Sequence, residues 1–598
     1  MPAAEASAAR RKHQRLTRQL AVLGLALSAL GCAQQPARTQ AQAVAFQAYS
    51  AEFVDELMAA NPGWAIAVGR YEFAEQLDVP DADSRLADAI FIDRHLAQLS
   101  VFDAAALPPL LRADHELIRG FLESQRWQAE TLRRWQWNPA QYNVAGGFAT
   151  LLNTDYAPLE QRLRSVSQRM LKVPAYYQAA LANIHRPTRV HVELAIQQNQ
   201  GALSLFDEAL FEQVEASALS AGDQLQFRVA VEGARAAIQG YVEALQAVLV
   251  DTPASEFRDY RLGGELYPTL FDHQIQSGYS ARQLYERALQ EKDRLHAQMA
   301  EQAQQLWPQL FPDQPAPAER VALIGTVIDK LSDNHADIDG FVDEVRKQIR
   351  QLEAFVADKQ LLDLDPDKPL VVRETPPYQR GVAIASIDAP GPFDPNANTY
   401  YNVTPLDRFS PAQAESFLRE YNHWVLQVLN IHEAVPGHYT QLIHANRSPS
   451  KIKSLLGNGA MIEGWAVYAE RMMLENGWGD HAPEMWLLYG KWNLRVVCNT
   501  ILDYGVHVLG MSEDEALDLL MREAFQTETE ARGKWRRVQL SQVQLTSYFS
   551  GYAEIYDFRE QRKQALGEAF DLREFHNQFL SYGSAPVRVI KQLMAPGT

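Results

Sequence analysis

The stretch His432-Glu433-Ala434-Val435-Pro436-Gly437-His438 limits most tightly what this chain can fold into. Two imidazoles flank a carboxylate that directly follows the first. Neutral imidazoles are good zinc ligands, and an adjacent carboxylate can act as a base on water. In the helical form of such a site, H-E-x-x-H, the histidines share one face four residues apart. Here the step is six residues, which turns an ideal helix by roughly 240° and points the rings apart. Pro436 removes an amide from the helix and ends or kinks it, while Gly437 accepts backbone angles that other residues resist. The expectation is a widened turn at Pro436-Gly437 that returns His438 to the cation held by His432.

A third ligand is expected from Glu463, which opens Glu463-Gly464-Trp465-Ala466 and is similar to the E-G-[FW]-A element of gluzincin metallopeptidases. Glu470 lies seven residues on, nearly the same helical face two turns away, and suits the outer N–H of a ligand histidine. With Asp503-Tyr504-Gly505-Val506-His507 and Tyr548-Phe549-Ser550-Gly551, these motifs resemble the DUF885 family of bacterial proteins, many of them lipoproteins. The likeness runs from about Phe53 to the C-terminus. It implies a mainly α, gluzincin-like multi-helix fold, zinc as cofactor and peptidase-like activity, and it leaves the substrate undefined.

The helical period dominates from about Gln47, as at Phe53, Leu57 and Met58. Helices are expected at roughly 84–100, 108–132, 158–185, 188–211, 217–250, 279–304, 317–357, 410–434, 480–510 and 512–525. The proline-rich 307–318 is a candidate joint, so the chain divides into 47–316 and a catalytic region 317–598, fused as one unit. Only 370–373, 382–387 and 399–403 read as strands, a small sheet just before the zinc helix. Its edge could hold an extended substrate, and Tyr401 and Asn402 are placed at the substrate or behind the ligands. The alternative is a sheet that only braces the metal helix.

Arg495, Asn499, Asp503 and His507 recur every four residues as a polar stripe on an apolar helix, which needs water, partners or a cavity. His507 is expected to stabilise an oxyanion with Asp503 orienting it, and Arg495 to meet a substrate carboxylate. Tyr548 is the first choice for a phenol at that oxyanion and Tyr552 the fallback.

The expected function is zinc-dependent hydrolysis of a peptide or related amide. His432, His438 and Glu463 hold the ion, Glu433 deprotonates the water and returns the proton to the leaving amine, and Tyr548 or His507 meets the oxyanion. A zinc-dependent lipoprotein that binds a peptide or cell-wall fragment without turnover is the alternative from another class, and a hydrolase of a non-peptide amide or ester is a third. The net charge of −18 makes nucleic acid or an anionic membrane a poor partner.

Residues 1–31 read as a signal peptide. Arg10, Arg11, Lys12, Arg15 and Arg18 precede the apolar Leu20 to Gly31, a run too short to span a bilayer comfortably. Cys32 follows a small residue, as in a lipobox, with 32–46 as a tether. The chain is therefore expected to be exported and anchored on the periplasmic side of a bacterium through lipid on Cys32. The two cysteines, Cys32 and Cys498, then leave no intrachain disulfide.

Overall fold

The computed structural model describes residues 39–375, 385–388, 392–393, 398–407 and 409–595. The expected signal peptide, Cys32, the start of the expected tether and residues 382–384 of the second expected strand lie outside them. The described chain is mainly helical, with one three-stranded sheet. No helix among these residues is long and apolar enough to cross a membrane.

Two hydrophobic cores organise the helices. The smaller is built by residues between Ile66 and Leu245 around Phe148, Tyr177, Phe206 and Phe227. The larger draws on Phe46 to Trp137 and on Leu262 to Met594, so it runs across the proline-rich stretch. There the helix Ala281–Leu310 continues through Pro308, and Trp307 Nε1 donates to the Gln314 carbonyl, pinning the loop that follows.

Several elements expected as single helices are broken, some of them at a polar cap. The expected 317–357 helix is two, Arg320–Leu331 and Phe341–Asp358. The expected 410–434 helix is also two. Pro411–Glu420 starts from a Ser410/Gln413 capping box. Helix α1, His423–Glu433, starts at Asn422, whose side chain accepts from the amides of Trp424 and Val425. An Asn that can bond the backbone locally competes with helix continuation, which the apolar period alone does not register.

Strands β1 (Leu370–Glu374), β2 (Ala385–Asp388) and β3 (Thr399–Val403) are ordered β1-β3-β2, β1 parallel to β3 and β2 antiparallel to it. Tyr401 and Asn402 therefore sit on the central strand, not on an edge open to an extended substrate. The Tyr401 hydroxyl donates to Asn430 Oδ1 at 2.9 Å, tying the sheet to the middle of α1, and Asn402 Oδ1 accepts from Arg373 at 2.7 Å. Tyr401 thus braces α1, while Asn402, on the opposite face of β3, ties that strand to β1.

Candidate metal centre

Helix α1 stops at Glu433. Ala434 leaves the helical region (φ −111°, ψ −94°), the Val435–Pro436 peptide is cis, and helix α2 begins at His438 and runs to Asn446. Gly437 N donates to the Ile431 carbonyl at 3.0 Å. A Cβ on Gly437 would lie 1.9 Å from the His432 carbonyl oxygen. No other residue fits so close to the backbone, so the glycine is required by approach. Trp465 Nε1 holds the turn from the next helix by donating to the Pro436 carbonyl at 2.9 Å.

That helix, α3 (Gly459–Glu475), brings Glu463 to the two rings. Glu463 Oε2 lies 3.8 Å from His432 Nε2 and 3.4 Å from His438 Nε2, and the ring centroids are 4.7 Å apart. One ligand atom from each of the three lies within 4.8 Å of the others, so the group could hold a metal ion.

The outer nitrogen of His432 is fixed. Its Nδ1 lies 2.7 Å from Glu470 Oε1, which also accepts from Trp492 Nε1 at 3.0 Å. Trp492 gave no sign of this in the sequence, because its partner is 22 residues away on a different helix.

Electrostatics hold His432 and Glu463 in the forms that ligate a metal, while Glu463 favours the protonated form of His438, a proton that a bound cation would displace. Burial, then the neighbouring charge of His438, lowers the His432 pKa to about 4, so this ring is neutral at physiological pH. Burial opposes charging of His438 too, but Glu463 outweighs it and raises its pKa. Burial likewise raises Glu463, and His438 more than reverses it, leaving the carboxylate ionised. Glu433 is half-buried, and its charge is felt by both imidazoles and by Tyr401.

A single close crossing decides which tyrosine reaches the site. Helix α3 packs on the helix Ser547–Leu566 through Gly464 and Gly551. A Cβ on Gly464 would lie 2.3 Å from Gly551 Cα, and one on Gly551 would lie 1.6 Å from the Ala460 carbonyl oxygen. The glycines of E-G-W and Y-F-S-G are thus one contact seen from two sides. It sets Tyr548, one turn before Gly551, near Glu463. Burial, then the Glu463 charge, raises the Tyr548 pKa, so its phenol keeps its proton. Arg537, on the helix Glu528–Leu540, donates to Gln544 Oε1 at 2.7 Å and to the Tyr548 hydroxyl at 3.3 Å, and it helps keep Glu463 ionised. It lies in a run that reads only as a charged surface face.

Four other expected site residues are engaged elsewhere. Tyr552 is buried, and its hydroxyl accepts from Arg471 at 2.9 Å. Arg495 is ion-paired with Glu420 at 3.1 Å and Glu530 at 2.8 Å, beside the buried Lys491–Glu420 pair at 2.7 Å, so its guanidinium is not available to a substrate. Asp503 does not bond His507; it accepts from the Tyr267 hydroxyl at 2.6 Å and from Val543 N at 3.0 Å. His507 Nε2 lies 2.9 Å from the Val538 carbonyl and 3.0 Å from the Ser541 carbonyl. Both therefore clamp the turn that leads into Tyr548. Val543, held at φ 69° in that turn, is strained by roughly 1–3 kcal/mol, and the Asp503 bond to its amide holds it there.

The model of a family described as bacterial protein of unknown function (DUF885) matches residues 62–594. No curated protein matches the chain. A solved structure of a candidate lipoprotein of unknown function from Shewanella oneidensis is 52% identical, with a TM-score of 0.86, covering 92% of this chain and 99% of that one. Another candidate lipoprotein, from Colwellia psychrerythraea, has the same fold at 17% identity, with a TM-score of 0.75 and coverage of 92% and 98%.

Proposed function

The chain belongs to the DUF885 family of bacterial proteins of unknown function, and on that footing we propose that it is a zinc-dependent hydrolase of peptide or related amide bonds. The observation that carries the reading is the convergence of His432, His438 and Glu463 beside Glu433, with Glu470 behind His432. The donor set fits zinc: two imidazole nitrogens and a carboxylate oxygen, with Glu463 Oε2 3.4 and 3.8 Å from the nitrogens. Ligand atoms around a tetrahedral ion with bonds of about 2.0–2.1 Å lie roughly 3.4 Å apart.

A zinc ion held by His432, His438 and Glu463 would supply Lewis acidity to the carbonyl and to water. Glu433 accepts the proton of the attacking water as the water oxygen bonds to the carbonyl carbon. It returns that proton to the nitrogen as the C–N bond breaks. Tyr548 donates a hydrogen bond to the carbonyl oxygen as that atom gains charge. Glu470 keeps His432 in the tautomer whose Nε2 lone pair faces Glu463. We also place the protein outside the cytoplasm, anchored by lipid on Cys32. The basic-then-apolar leader supports this, as does the likeness to the Shewanella candidate lipoprotein.

The test is Glu433→Gln, with zinc measured by elemental mass spectrometry and turnover by digestion of a peptide library. Zinc should stay stoichiometric while hydrolysis falls by about 10²–10⁴-fold. Full activity in the variant would remove Glu433 from the mechanism. Zinc without turnover in the parent protein would favour a binding role.

A further inference from the structure

A cavity of about 640 Å³ opens beside Glu463, with Arg134, Asn458, Gln542 and Gln544 in its wall. Arg134 differs from three buried cations that hold carboxylates; Arg169 also lacks one among the described residues, but it donates to the Gln76 carbonyl and does not line the cavity beside Glu463. Lys453 is paired with Asp114 at 2.8 Å, Lys491 with Glu420 at 2.7 Å, and Arg495 with two glutamates. Arg134 has no carboxylate partner among the described residues. Its Nη2 donates to the neutral Gln542 Oε1 at 3.1 Å, its guanidinium carbon lies 5.9 Å from the centre of the Trp137 ring, and its Nε is buried without a hydrogen-bond partner. Burial alone pushes its pKa down, with no counter-charge opposing.

A desolvated charge left unpaired costs free energy, and folded proteins normally pair it. Here the unpaired fork borders open space. A guanidinium of this kind matches a carboxylate in shape and charge, and the match is strongest where water is excluded. Arg134 and Trp64 also line a second cavity of about 750 Å³, so Arg134 stands where two chambers meet, within reach of a ligand extending away from Glu463. Arg537 likewise lacks a carboxylate partner among the described residues, but it is exposed, and water can solvate it.

We propose that Arg134 binds a carboxylate of the substrate, so that the cleft selects short peptides or related amides with a free carboxylate and directs their scissile bond toward Glu463. The orientation rests on the hydrolase reading; the carboxylate site does not.

The probes are N-acetylated tripeptides of uncharged residues, as free acids and as C-terminal amides. Binding is measured by equilibrium ultrafiltration and mass spectrometry on the full zinc-loaded chain carrying Glu433→Gln. Free acids should be retained at least about tenfold more strongly than amides. Adding Arg134→Gln should erase that preference with zinc content unchanged, and Arg134→Lys should restore part of it. No preference in the Glu433→Gln chain overturns the proposal without need of an Arg134 variant. So does a preference that survives Arg134→Gln, or one lost instead in Arg537→Gln. Turnover is scored separately on the parent protein. Cleavage without acid preference sinks the Arg134 site alone, and acid preference without cleavage sinks the hydrolase alone.

Discussion

Replacing Gly551 by alanine should separate packing from chemistry at this site. In a helix interior the change usually stabilises by about 0.5–1 kcal/mol, because glycine has more backbone freedom to lose. At Gly551 the sign should reverse. The new Cβ would sit 1.6 Å from the Ala460 carbonyl oxygen and 2.8 Å from Gly464 Cα. Close C···O contacts lie near 3.3–3.6 Å, so the helices must part by roughly 1.7 Å or more. Both obstacles are backbone and cannot rotate away. Overpacking costs about 1–3 kcal/mol where side chains can adjust, so about 3 kcal/mol is expected here. The same shift carries Tyr548 away from Glu463, and a misplacement of about 1 Å can cost about 10² in rate. The assay is urea denaturation of Gly551→Ala beside Gly240→Ala, whose Cβ would meet nothing within 4 Å on the exposed face of Ala221–Asp251. Gly240→Ala should stabilise slightly and Gly551→Ala should destabilise strongly. If both stabilise, the crossing is not the constraint inferred here.

Glu470→Gln should weaken zinc binding by about 10–100-fold in a chelator competition, since it loosens the hold on His432 Nδ1; unchanged affinity would reduce Glu470 to a packing residue. Tyr548→Phe should lower kcat by about 10²-fold with little change in KM, whereas Tyr552→Phe should leave kcat near the parent value; the opposite pattern would exchange their roles. Acid should destabilise the fold. Burial lowers His191 and His576 from 6.5 to about 4, so the unfolded chain takes up these protons first. The stability they contribute is present above pH 6.5 and lost as pH falls toward 4, with each histidine losing about 1.4 kcal/mol for every pH unit crossed between those values. Urea midpoints that do not fall between pH 7 and pH 5 would contradict this.

The amino-acid sequence by itself determined the features that depend on neighbours along the chain. Helical periodicity, the cap at Ser410, the break forced by Pro436-Gly437 and the candidate ligands are local, because residue spacing and backbone stereochemistry dictate them. Tertiary structure decided which of several similar side chains reach the site. Tyr548 and Tyr552 lie one turn apart on one helix, and Arg471 takes the second. Arg495 looked free for a substrate until Glu420 and Glu530 arrived from other helices. The Thr399–Val403 strand became central only once β1 and β2 had paired on either side of it. Gly464 and Gly551 read separately as motif letters, and their common cause is one helix crossing. A side chain's role follows from the partner that satisfies its charge or hydrogen bonds, and when that partner lies tens or hundreds of residues away, spacing along the chain carries no record of it.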